Sequence, residues 1–103
     1  MTKNNNTTEL HRAASRGDIE GVKLLVSQGV KIDAKDEHGW TPLHVAVLNG
    51  DESYEVVKWL VANGADIHAR DDVDATPGNT PLDLAKGEKG TGHDAVIEFL
   101  TSR

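Results

Sequence analysis

Five histidines, seventeen acidic residues and no cysteine are the groups from which this chain could assemble a reactive or metal-binding site. Helix-borne zinc sites need two histidines four residues apart with an acid between them, and His11, His38, His44, His68 and His93 supply no such pair. Without cysteine there is no disulfide, thiol nucleophile or thiolate ligand. Asp71, Asp72 and Asp74 cluster ahead of Gly78, but a calcium loop needs glycine at its sixth position and an acid at its twelfth. Counted from Asp72, Gly78 is seventh, and Asp83 is twelfth but falls inside a helical pattern, so the cluster reads as a solvated turn. The run from Gly87 to His93 is glycine-rich, yet His93-Asp94 follow Gly92 where a phosphate loop carries Lys and Ser or Thr, so it reads as an interhelix loop. No GxSxG elbow occurs. These residues point to no catalytic centre, no metal and no cofactor.

The elements that position them must come from a small apolar stock. The chain has 103 residues, 37% hydrophobic and only 4% aromatic, enough for one thin-layered domain of Leu, Val, Ile and Ala. Net charge is −6, and Lys and Arg are scattered. That balance favours a basic or mixed partner and disfavours nucleic acid or an anionic membrane. Residues 1–8 are polar and Asn-rich with no apolar stretch of a secretory signal, and no run approaches the roughly 18 apolar residues of a membrane span. A cytoplasmic monomer is the expectation.

The strongest signal is internal repetition. Leu10-His11-Arg12-Ala13-Ala14 returns 33 residues later as Leu43-His44-Val45-Ala46-Val47 and again as Leu82-Asp83-Leu84-Ala85-Lys86. A second block follows each copy: Ile19, Val22, Leu25 and Val26 recur at helical spacing, as do Val56, Val57, Leu60 and Val61. The blocks at Gly29 and Gly64 are 35 apart, so the second repeat holds a two-residue insertion within Asp51 to Tyr54. Thr41-Pro42 and Thr80-Pro81 open the first helices, because Thr caps and Pro is tolerated where the N–H is unpaired anyway. Gly29 and Gly64 close the second helices. Gly39 and Gly78 serve the connecting turns.

Helical hairpins spaced in this way, with the signature Gly39-Trp40-Thr41-Pro42-Leu43-His44-Val45-Ala46 and the closing run Asn63-Gly64-Ala65-Asp66, resemble the ankyrin repeat. The resemblance covers residues 6 to 101. It implies an all-α repeat solenoid of three stacked helix-turn-helix units joined by short β-hairpin-like loops. The expected repeats are 4–36, 37–71 and 72–103 of a single domain. It implies that His11 and His44 tie helix starts to neighbouring backbone. Glu9 in place of Pro, and Asp83 in place of His, mark terminal repeats as caps, which implies a complete stand-alone protein.

Function, too, follows from the resemblance: a non-catalytic module, adaptor or inhibitor, binding another protein through hairpin tips and the concave face of the first helices. Carried across by position, the expected contacts are Lys35, Glu37, His38 and Trp40 at the first hairpin, and Arg70, Asp72, Val73 and Asn79 at the second. Ser15, Arg16, Leu48 and Asn49 follow the first helices. Residues on that side are expected to be spared from packing, although Trp40 can instead lie on the neighbouring hairpin. The competing readings are a metal or enzymatic role for the third repeat's inserted loops, and a structural spacer or fragment of a longer array.

Overall fold

The computed structural model describes residues 9–36, 38–71, 78–87 and 93–102. Within them the chain forms three helical hairpins. The first helices are α1 (Glu9–Ser15), α3 (Pro42–Leu48) and α5 (Pro81–Gly87); the second are α2 (Ile19–Ser27), α4 (Tyr54–Ala62) and α6 (Asp94–Thr101). A 3-10 turn, Gly50–Ser53, leads into α4. Among the described residues there is no strand, and His68 lies in a turn. Among the described residues the connecting loops are each closed by a backbone bond, Asp36 N–H to the Trp40 carbonyl and Asp71 N–H to the Asn79 carbonyl.

None of these helices exceeds nine residues, a length that is marginal in water without tertiary support. Support comes from layering. Helix α3 lies between α1 and α5, and α4 between α2 and α6. Leu10, Leu43, Val22, Val56, Val57, Leu60 and Val96 are fully buried between the layers. The caps stop each helix at a defined residue. Asp18 accepts from the Gly21 N–H at the start of α2. Helix α4 ends at Gly64, where φ is +97°: the Gly64 N–H reaches the Val61 carbonyl and the Ala65 N–H the Leu60 carbonyl. That pair of bonds demands the left-handed conformation that glycine adopts without a Cβ clash.

The two-residue insertion has a structural use. Asp18 caps its own helix, but its counterpart Asp51 is carried sideways by the 3-10 turn. There its carboxylate accepts from Val96 (3.1 Å) and Ala95 (3.4 Å) at the start of α6. Ser53 Oγ, in the same turn, donates to the Ala14 carbonyl of the first hairpin at 3.1 Å. The turn therefore touches both neighbouring repeats. Its approach is close: a Cβ on Gly17 would lie 2.9 Å from the Glu52 carbonyl oxygen.

Candidate functional site

The side formed by hairpins and first helices is built by a repeated histidine link. Thr41 caps α3; its hydroxyl accepts from the His44 N–H, and His44 Nδ1 accepts from the Thr41 N–H at 3.1 Å. That fixes the proton on Nε2, which lies 2.8 Å from the Asn79 carbonyl in the next hairpin. His11 makes the same outward bond, Nε2 to the Trp40 carbonyl at 2.8 Å. Burial pushes the His44 pKa down, against a smaller upward pull from the Asn79 bond. The third copy has Asp83. Its carboxylate accepts from Thr80 N–H at 3.0 Å while Thr80 Oγ1 accepts from Asp83 N–H. A carboxylate only accepts, so this position keeps the helix cap and drops the outward donor.

The hairpins share a second device. Asp36 N–H donates to the Trp40 carbonyl, and Asp36 Oδ1 accepts from the N–H groups of His38 and Trp40 at 2.8 and 3.0 Å. Asp71 repeats this with Asn79: backbone N–H to carbonyl at 2.9 Å, and Oδ1 from the Asn79 N–H at 2.8 Å. Asp71 and Asn79, at the two ends of the longer loop, are thus joined as Asp36 and Trp40 are. Asp71 was expected in a solvated turn; it is buried, because its second oxygen accepts from the Trp40 indole Nε1 at 2.7 Å. Asp72 and Asp74, the rest of that cluster, lie outside the described residues.

The expected contact residues fall into two groups. Lys35, His38, Trp40, Arg70 and Asn79 gather at the hairpins. Lys35 Nζ donates to the Arg70 carbonyl at 3.3 Å, Arg70 to the Gly78 carbonyl at 2.8 Å, and the His38 and Trp40 rings lie 4.9 Å apart. Ser15, Arg16, Leu48 and Asn49 stand at the far ends of the first helices, about 10 Å away for a seven-residue helix. Ser15 and Arg16 are exposed and Leu48 is half-buried. Asn49 is drawn into the fold, its Nδ2 donating to Ser53 Oγ at 2.6 Å. Glu37, Asp72 and Val73 lie outside the described residues.

The expectation that this side is spared from packing needs correcting. Trp40 is half-buried and bonded to Asp71, and Asn79 supplies the carbonyl for His44. Hairpin residues must satisfy buried backbone and carboxylate groups of their neighbours before they can serve a partner. Three residues that the sequence reading passed over complete the side. Arg12, Val45 and Leu84 occupy one register position on α1, α3 and α5, between the two groups; Val45 and Leu84 are half-buried and Arg12 is exposed. Their signal was the same offset that aligned the histidines. His93 was also missed: it is buried, with Nε2 3.2 Å from the Leu48 carbonyl, and serves the packing of α6 on the end of α3.

Among the described residues, no three His, Asp or Glu side chains are grouped to hold a metal, and no helix is long and apolar enough to cross a membrane.

Comparison with known proteins gives the same architecture. A family model described as ankyrin repeats, three copies, matches residues 1–71. Protein phosphatase 1 regulatory subunit 27 of Homo sapiens is 43% identical over 75 residues, 73% of this chain and 45% of that protein. Ankyrin repeat-containing protein P1E11.10 of Schizosaccharomyces pombe is 36% identical over 93 residues, 90% of this chain and 42% of that protein. Protein phosphatase 1 regulatory subunit 12A of Mus musculus is 41% identical over 78 residues, 76% of this chain but only 7% of that protein. The chain thus spans less than half the length of each.

Proposed function

The chain belongs to the ankyrin-repeat family, and on that premise we propose that it is a non-catalytic module that regulates a partner protein by binding it along the hairpin and first-helix side. The observation that carries the reading is the row that the first helices leave open at one register position while both layers feed the core. The first helices give Leu10, Leu43, Ala46 and Val47 to that core, and the second give Val22, Val56, Val57, Leu60 and Val96. The first-helix side keeps Arg12, Val45, Leu48 and Leu84 wholly or partly open on three adjacent helices. Rigid repeats that bury one face and leave an aligned row on the other suit an extended contact. The regulatory character rests on relatives named as phosphatase regulatory subunits. Whether this chain acts on a phosphatase is a further step, open to direct assay.

On this reading residues 1–103 act as one domain, monomeric and cytoplasmic. The contact set is Ser15, Arg16, Lys35, Glu37, His38, Trp40, Leu48, Asn49, Arg70, Asp72, Val73 and Asn79, joined by Val45 and Leu84. Trp40 is its best anchor, a large rigid group with one edge already fixed. The test is crosslinking capture with mass spectrometry from cell extract, wild type beside Leu48→Ala. A partner lost on Leu48→Ala supports the face; an unchanged captured set overturns it.

A further inference from the structure

Charge is segregated between the two helix layers in a way that net charge conceals. Among the described residues, the second helices together with Asp18 and the 3-10 turn carry seven carboxylates and two lysines. The first helices carry Arg12 and Lys86 against Glu9 and Asp83, and Arg16 directly follows α1. Both of these acids are already engaged. Asp83 caps α5 through the Thr80 N–H, and Glu9 Oε2 sits 2.9 Å from Arg12 Nη1. Arg16 and Lys86 are exposed and, among the described residues, have no carboxylate in ion-pair range. Val45 and Leu84 are half-buried at the register position of Arg12, and Leu48 is half-buried one turn further along α3.

From this arrangement we infer that the strip takes an acidic peptide segment of a partner protein, with an apolar side chain seated on Val45, Leu48 and Leu84 and carboxylates paired by Arg12 and Arg16. The inference rests on the proposed binding face and specifies what it recognises. It reverses the expectation drawn from net charge, which favoured a basic or mixed partner. At physiological salt, charges more than about 8 Å apart are largely screened, so the local cations outweigh carboxylates on the opposite layer. Glu9 models the contact. It presents a carboxylate to Arg12 in a pair whose side chains are 53% and 65% exposed, open enough to be exchanged for a partner's.

Three synthetic peptides of equal length test this by fluorescence anisotropy against the full chain. Each carries the same central leucines, flanked by Glu, by Lys or by Gln. The Glu peptide is expected to bind tightest, weakening as NaCl is raised. Arg12→Glu with Arg16→Glu, shown folded by its melting curve, is expected to lose about tenfold for that peptide and to gain the Lys peptide. Glu9→Gln removes the internal competitor and is expected to tighten the Glu peptide about two- to fivefold. Equal or tighter binding of the Lys or Gln peptide by wild type overturns the inference. So does binding of none, or indifference to the arginine reversal. Should Leu48→Ala abolish partner capture while the arginine reversal leaves it intact, the face stands and its acidic ligand falls. If neither change matters, the face itself falls.

Discussion

The indole Nε1 of Trp40 donates to the carboxylate of Asp71 across a sequence distance of 31 residues, at 2.7 Å. The aromatic group at the centre of the candidate face is therefore also a tie between the two connecting hairpins. Trp40→Phe keeps the ring and removes the donor from a buried carboxylate, a change that costs about 1–3 kcal/mol. The expected outcome is a lower urea midpoint with the far-ultraviolet helix signal unchanged. A midpoint equal to wild type would show that the bond contributes nothing to stability.

Leu60 is fully buried in the middle second helix, flanked by α2 and α6. Leu60→Ala should cost about 2–5 kcal/mol, a large part of the roughly 5–15 kcal/mol that holds a domain together. Gly64 is a different case, since a Cβ there would meet nothing within 4 Å but φ is +97°. Gly64→Val should cost about 1–3 kcal/mol by backbone strain alone, and Gly64→Asn less, because Asn tolerates left-handed backbone better than a β-branched residue. Thermal melts of the three variants check the order.

The 3-10 turn predicts an effect at a distance. Asp51 belongs to the second repeat but caps α6 of the third. Asp51→Ala should cost about 0.5–2 kcal/mol, with the loss of amide protection concentrated at Ala95 and Val96 rather than in α4. Hydrogen exchange read residue by residue would show it; protection lost mainly in α4 would contradict the assignment.

His44 gives the stability a pH dependence of definite sign. Its pKa is lowered from 6.5 in the folded chain. The unfolded chain therefore takes up the proton first, and stability falls as pH drops below about 6.5 toward the lowered value. The cause is burial of the ring, which disfavours the charged imidazolium by more than the Asn79 bond favours it. Melting temperature should decline from about pH 7 to about pH 5, and less steeply in His44→Gln. An identical slope in the two proteins would assign the effect elsewhere.

Much of this was legible in sequence because the determinants are local. Thr41-Pro42 and Gly64 announce helix ends through the chemistry of one turn, and the 33-residue offset aligns Leu10 with Leu43 and His11 with His44. What escaped was long-range partnering. Asp71 reads as one more acid of a polar loop, and only its place beside the Trp40 indole makes it a buried acceptor. Asp51 sits where Asp18 sits, yet the two inserted residues redirect it to another repeat's helix. Net charge sums over both layers and so hides that the acids outnumber the bases in the second-helix layer and not in the first. The contact residues were legible only as positions; that Asn49 turns inward to Ser53 depends on an insertion whose shape no spacing rule specifies.

The central claim is that partners meet the hairpin and first-helix side. Its most direct test is partner capture by two folded variants matched in melting temperature: Leu48→Ala with Val45→Ala on that side, and Lys23→Ala with Lys58→Ala on the second helices. Loss of a central anchor costs at least about 2 kcal/mol, roughly thirtyfold in affinity. The account predicts that loss for the first pair and wild-type capture for the second. Retained capture by the first pair, with loss in the second, would contradict it.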